Sequence, residues 1–301
     1  MSSPYFTPAA PARGVLALTG GDSVSFLQGL VSNDIHKLAP DRALWAALLT
    51  AQGKFLHDFF VLRQGPSILL EGDGARIADL KKRLGLYKLR AKIAIEDVSA
   101  HHEVWLGWGD GAAAAFGLAE PGQAAETGNA VAYVDPRRAA LGIRLVAPAG
   151  TGSALLSARG FQPGDWSVWE RLRLAEGVPD GSRDLVLEKS ILLENGFDEL
   201  NGIAWDKGCY IGQELTARTK YRGLIKKRLM PVAIDGALPE PGTLVTRADG
   251  SEAGEIRSGL DGQALALIRL EALDAGGPLT AGATRVEPLP PDWLRRPQPA
   301  A

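Results

Sequence analysis

An α+β protein with a small closed β domain at its C-terminal end is what this chain predicts. Strand-like runs alternate with single amphipathic helices, first as strand, strand, helix, strand and then as strand, helix, strand, strand, the order of antiparallel sheets with helices on one face. From Arg228 onward the runs shorten, alternate apolar with polar residues and are separated by Gly and Pro, which suits a small barrel. With 46% apolar residues over 301 positions, the chain can bury the cores of two or three domains.

In order along the chain, a proline-punctuated extended start precedes Asp22, placed to cap a short helix in which Phe26, Leu27, Leu30 and Val31 form an apolar face ending near Asn33-Asp34. Runs at 44–50 and 55–62 flank Ala51-Gln52-Gly53-Lys54, a length and composition suited to a hairpin. Strand alternation puts His57 and Asp58 on opposite faces, so they are not expected to act as a pair. A strand at 67–71 leads into a helix over 74–87, with Ile77, Leu80 and Leu84 inward and Lys81, Lys82 and Arg83 on the wet side. Strands are expected at 92–98, 104–108, 130–134 and 142–146, with an alanine-rich helix over 112–118. A helix over 167–176 stops at Gly177-Val178-Pro179-Asp180-Gly181. Residues 182–208 read as an ordered wrapping loop, because Leu185, Ile191, Phe197 and Leu200 recur among its turn formers. Short strands near 229–234, 242–247, 254–258, 264–269 and 284–287 build the β domain, and 288–301 is a proline-rich tail with no assigned role.

A net charge of −2 leaves no overall field to hold the molecule on nucleic acid or an anionic membrane, so any such binding must be local. The N-terminal residues lack a basic n-region and an apolar h-region, and no apolar run approaches a membrane span. With a single cysteine besides, a reducing cytoplasm is the expected location.

Chemistry concentrates in Lys207-Gly208-Cys209-Tyr210-Ile211-Gly212-Gln213-Glu214. The lone Cys209 closes no internal disulfide and builds no four-ligand metal site by itself. Two readings stay open: a small buried apolar side chain, or a thiol activated by flanking glycines, by Lys207 and by the N-terminal end of a helix beginning near Leu215. Gln213 and Glu214 either bind a ligand or cap that helix. Arg218, Lys220, Arg222, Lys226, Lys227 and Arg228, with no acid among them, form either a solvated face or an anion site for a glutamyl tail, a phosphate or RNA. Trp169 is either a core aromatic or a stacking platform for a flat heterocycle. The four histidines show no ligand spacing, so no metal is assigned to the chain alone.

The segment Phe26-Leu27-Gln28-Gly29-Leu30-Val31-Ser32-Asn33-Asp34, the hairpin with Gly53-Lys54-Phe55-Leu56 and above all the cysteine octapeptide resemble the YgfZ family, relatives of the aminomethyltransferase (T-protein) of the glycine cleavage system, over residues 14–268. The resemblance implies an aminomethyltransferase-like folate-binding fold, antiparallel sheets with helices around a central channel, plus a small C-terminal β-barrel. The expected division is a discontinuous folate-binding domain at 1–43 and 150–227, a ferredoxin-like α+β domain at 44–149, a barrel at 228–290 and a tail at 291–301. Tetrahydrofolate is the implied cofactor, with Trp169, Asn33, Asp34, Glu176, Lys207, Tyr210, Gln213, Glu214 and Arg222 as its expected contacts.

The implied role is the maturation of iron–sulfur enzymes, including those that modify tRNA. Cys209 would be the functional thiol or a shared cluster ligand, iron–sulfur client or assembly proteins the partners, and the 218–228 segment a route to RNA. Two adjacent acids of the T-protein are represented by His57-Asp58, so aminomethyl transfer is not expected. In the alternative, a tetrahydrofolate-dependent one-carbon transferase or demethylase, Asp58 would be the acid/base. The T-protein carboxylate before Gly177 is displaced by one residue to Glu176, about 100° around a helix, and a second folate tryptophan of the family falls at Gly14.

Overall fold

The computed structural model describes residues 3–296, which form two compact units. The first comprises the described residues up to Leu48, His57–Trp169 and Asn201–Ile211; the second comprises Leu49–Leu56, Glu170–Leu200 and the described residues from Gly212 onward. Elements run in the order β1 (Tyr5–Pro8), β2 (Arg13–Thr19), α1 (Ser23–Gln28), β3 (Leu44–Leu49), β4 (Phe55–Gln64), β5 (Ser67–Asp73), α2 (Ile77–Tyr87), β6 (Ala94–Asp97), β7 (His102–Trp108), β8 (Ala124–Thr127), β9 (Ala130–Val134), β10 (Ile143–Pro148), α3 (Gly152–Ser157), β11 (Gln162–Pro163) and α4 (Trp166–Ala175). There follow α5 (Gly181–Asp184), α6 (Gln213–Tyr221), β12 (Lys227–Asp235), β13 (Leu244–Arg247), β14 (Glu252–Leu260), β15 (Gln263–Arg269), α7 (Leu270–Ala275), β16 (Leu279–Ala281) and β17 (Thr284–Pro288).

The first unit is built on a five-stranded sheet, β3-β4-β5-β2-β6, and a six-stranded sheet, β11-β1-β7-β10-β9-β8. β3 and β9 are buried along their whole length, as near-continuous apolar runs require. Between the sheets lies an ionic network. Glu71 of β5 accepts from Arg13 of β2 (2.8 Å), from Arg144 of β10 (2.5 and 3.1 Å) and from the Tyr133 hydroxyl of β9. Arg137 pairs with Asp135 at 2.7 Å, and the Arg137 and Arg144 guanidinium carbons lie 4.8 and 4.3 Å from the Phe60 ring centre. Such pairs hold because every charge has a partner; removing one leaves another buried and uncompensated.

In the second unit β12-β15-β14-β13-β16-β17 close into a barrel around Met230, Val232, Val245, Ile256, Ala266 and Ile268. Beside it sits a second buried ionic cluster. Arg173 donates to Glu170 (2.6 Å), Asp184 (2.9 Å), the Val178 carbonyl (2.6 Å) and Ser258 (2.7 Å).

Several local expectations change. Asp22 does not cap α1 with its side chain; its carboxylate accepts the Lys92 backbone N–H at 2.7 Å. The helix stops at Gln28 rather than near Asn33, because Val31 already bridges to Leu48. The expected helix over 112–118 shrinks to a 3-10 turn at Ala114–Phe116, ended by Gly117 at φ +69°. The start of the chain is not merely extended: β1 and β2 pair into the two sheets. The tail has a structural role as far as it is described: Trp293 donates its indole N–H to the Glu176 carbonyl (2.8 Å) and Leu294 packs on the barrel core. Residues 297–301 of that expected tail lie outside the described residues.

Burial alone would raise the Glu71 pKa, but the Arg144 and Arg13 guanidinium groups hold it at about 2, against an ordinary 4.5. A carboxyl depressed in the folded state contributes stability present above its unfolded pKa and lost as pH falls through the folded value. In urea titrations, the stability gap between the wild-type protein and Glu71→Gln is therefore expected to close by about 3 kcal/mol as pH falls from 6 towards 2. A gap independent of pH would show that Glu71 is not ionised in the folded protein.

Candidate functional site

The Cys209 loop is anchored by the segment that follows α1. The Ser32 hydroxyl donates to the Gly202 carbonyl (2.6 Å) and accepts the Ala47 N–H (2.9 Å), while the Ser32 carbonyl accepts the Ala204 N–H at 3.0 Å. Asn33 spends its carboxamide N–H groups on the carbonyls of Trp45 and Asn201, both at 2.7 Å. Asp34 accepts from Gln28 (2.9 Å) and from the His36 N–H (3.1 Å), fixing the turn that presents Ser32 and Asn33.

Lys207 completes the anchor. Its buried ammonium donates to the carbonyls of Val31 and Asn33, both at 2.7 Å, and lies 5.0 Å from the centre of the Tyr210 ring. Burial lowers its pKa from 10.5 to about 8, opposed by the charge of Asp34. With Lys207 and Tyr210 turned inward, Cys209 between them is exposed. The thiol is thus displayed from a loop tied down on both sides.

Of the two open readings, a buried apolar cysteine is corrected by that exposure. The expected activation by a helix end also changes. α6 starts at Gln213, and Cys209 lies in irregular chain before it, so no shared helical turn stacks Gln213 over the sulfur. Glu214 sits exposed in the first turn of α6 and Arg222 exposed at its C-terminal cap.

A cavity of about 640 Å³ opens in the first unit, walled by Trp45, Trp205, Asn33 and Asn201, with Lys37 and Arg42 as its cations. Its acids are Glu120 and Asp206, and Asp206 pairs with Lys37 at 3.1 Å. Trp45 is fully buried and supports the lining from within, so the half-buried Trp205 indole, the carboxamides and the cations are the groups that suit a planar heterocycle with an anionic tail.

Trp169 is not part of that lining: it is buried, with its indole N–H on the Leu141 carbonyl at 3.2 Å. Glu176, Gln213, Glu214 and Arg222 belong to the second unit, and the Glu176 carbonyl is taken up by Trp293. His57 and Asp58 do diverge. His57 is buried on Asp79 (2.8 Å), its pKa pushed down to about 4 by burial and by Arg76, while Asp58 accepts the Trp45 indole N–H at 3.1 Å. Within the basic segment, Lys220 pairs with Asp198 (2.9 Å), Lys227 with Glu252 (3.2 Å) and Arg228, buried, with Glu199 (2.6 Å). Half of that run is thereby neutralised, which weakens it as an RNA track.

Sequence reasoning missed Trp45, Arg42, Asn201 and Trp205. Trp45 did carry a signal, as the one aromatic in the run Leu44-Trp45-Ala46-Ala47-Leu48-Leu49.

Comparison with known proteins shows the family and the fold. Residues 226–296 match a family described as CAF17, C-terminal beta-barrel domain. The chain is 35% identical to the iron–sulfur cluster assembly factor IBA57, mitochondrial, of Mus musculus, with 93% of this chain and 83% of that one covered. It is 36% identical to the Homo sapiens protein at the same coverage. The chain belongs to the IBA57 family. The YgfZ resemblance is the coarser form of that statement. Aminomethyltransferase T of the glycine cleavage system from Bartonella henselae superposes with a TM-score of 0.77 at 13% identity, over 98% of this chain and 87% of that one. This IBA57-family chain therefore has the aminomethyltransferase-like fold with a C-terminal β-barrel. The expected cytoplasmic location is overturned: the relatives it matches are mitochondrial proteins.

The Lys207 anchor yields a direct expectation. Its ammonium should titrate near pH 8 in nitrogen-detected NMR, well before lysines in water at about 10.4. Lys207→Met, which leaves two buried carbonyls unpaired, should cost about 1–3 kcal/mol and speed amide exchange selectively over residues 202–211. Exchange in that loop equal to wild type would remove Lys207 as its anchor.

Proposed function

We propose that this chain is an iron–sulfur cluster assembly factor in which Cys209 supplies one thiolate ligand to a cluster that a partner protein completes. The observation that carries the reading is the exposed thiol on an anchored loop. A single sulfur cannot satisfy a cluster by itself, so the remaining ligands must come from the donor or recipient of the cargo. The names of the relatives support the same assignment, being those of iron–sulfur cluster assembly factors. Enzymes that modify tRNA form one client class in this reading.

Tetrahydrofolate is proposed for the cavity in the first unit. Trp205 would stack on the pterin, and Arg42 with Lys37 would meet the glutamyl carboxylates. When bound, folate supplies binding energy that favours the ordered form of the walls around it. Asn33 serves both structures, since it lines the cavity and ties Asn201.

In cells lacking the protein, Cys209→Ser should fold normally, shifting Tm by no more than about 2 °C because the side chain is exposed, yet fail to restore iron–sulfur enzyme activity and tRNA modification. Full rescue would sink the role of the thiol. For the ligand, tryptophan fluorescence should quench on titration with tetrahydrofolate. Affinity should fall about tenfold in Arg42→Ala or Trp205→Ala, whereas Trp169→Ala should lower stability by about 3–5 kcal/mol. Absence of quenching at millimolar folate would remove the cofactor while leaving the thiol reading intact.

A further inference from the structure

The end of α2 carries a surface that neither the thiol nor the cavity uses. Residues 81–92 contain Lys81, Lys82, Arg83, Lys88, Arg90 and Lys92 and no acid. Arg83 is drawn onto Asp79 at 2.7 Å, and Lys81 is within electrostatic reach of Asp97. Lys81, Lys82, Arg90 and Lys92 are exposed and Lys88 half-buried. Cations near a helix C-terminus are favoured by the helix dipole, which accounts for some of them.

It does not account for the apolar residues between them. Leu86 is 69% exposed, Tyr87 44% and Leu89 89%. The inward stripe of α2 is already supplied by Ile77, Leu80 and Leu84, all buried, so these side chains are not displaced core. Leu89 also has φ +42°, a left-handed conformation in which its Cβ crowds the backbone. The left-handed backbone ends α2 at the residue after its cap, but glycine would do that without strain, and the bare leucine side chain buries almost nothing there.

We infer that this turn is a membrane-surface contact, with Leu86, Tyr87 and Leu89 entering the interfacial layer of an anionic bilayer and Lys81, Lys82, Lys88, Arg90 and Lys92 meeting lipid phosphates. Charge complementarity selects an anionic partner. Side chains this exposed form a projecting tip rather than a groove. A protein would need a matching pocket to receive that tip, whereas a bilayer offers a deformable apolar layer beneath phosphates, with tyrosine suited to the boundary. The net charge of −2 gives no overall attraction to an anionic surface, so the contact depends on local cations such as those of this turn.

The full chain should co-float at low salt with vesicles of phosphatidylcholine mixed with phosphatidylglycerol, and not with phosphatidylcholine alone. Leu86→Ser combined with Leu89→Ser should lower partitioning at least about tenfold, as should Lys81→Glu with Arg90→Glu. Leu89→Gly provides the control for folding. Glycine accepts the positive φ without strain, so this variant should unfold no earlier than wild type yet bind vesicles more weakly. No flotation, equal binding to neutral vesicles, or undiminished binding in the leucine variants would each overturn the inference. So would loss of an acidic protein partner in those variants with vesicle binding unchanged.

Discussion

The two sheets of the first unit meet at a carboxylate that water cannot reach. Glu71 stands at the end of the apolar run Ile68-Leu69-Leu70, and its charge is tolerable only because two arginines and a tyrosine hydroxyl converge on it from neighbouring strands of both sheets. That requirement links strands β2 and β5 of one sheet to β9 and β10 of the other. It also reaches the cavity: Arg144 lies over Phe60, Arg137 over both Phe60 and Trp45, and Trp45 is a wall. The wall is thus braced by charges that cannot relax without leaving one unpaired in the interior.

The cysteine motif divides its labour in a way that its residue types do not announce. Lys207 looks like an electrostatic activator of the neighbouring thiol, yet its ammonium points away to two carbonyls of the Val31–Asn33 segment. Asn33 and Ser32 look like ligand contacts, yet much of their hydrogen-bonding capacity holds the loop. Scaffolding residues that surround a displayed thiol suit an exchange reaction. On the proposed reading, in which Cys209 shares a cluster with a partner, the sulfur has to be reachable and still occupy a defined place.

The sequence was most informative where periodicity is local. The run 130–134 coincides with β9, the spacing of Ile77, Leu80 and Leu84 marks the inward face of α2, and the short alternating runs after Arg228 do close into a barrel. His57 and Asp58 diverge as strand alternation requires. What stayed hidden depends on distant partners. The Lys207 ammonium meets carbonyls more than 170 residues away, and Arg144 meets Glu71 across 73; no period of 2 or 3.6 encodes such a meeting. Asp22 shows the reverse failure, since a residue with good capping chemistry was claimed by the Lys92 N–H, remote in the chain, instead.

The way the chain is divided between its units sets an order of events at the ribosome. The first unit draws its last residues from Asn201–Ile211, whereas the barrel occupies Lys227–Pro288. A nascent chain that has released Ile211 already owns every group that ties down the thiol loop: Ser32, Asn33, Lys207 and the carbonyls they bind. Because domains fold as units during synthesis, N-terminal first, Cys209 can be locked into its displayed position while β12–β17 are still being translated. A stop within the barrel would release a chain whose cysteine is on show but whose second unit is unfinished, a species that quality control would have to distinguish from the completed protein.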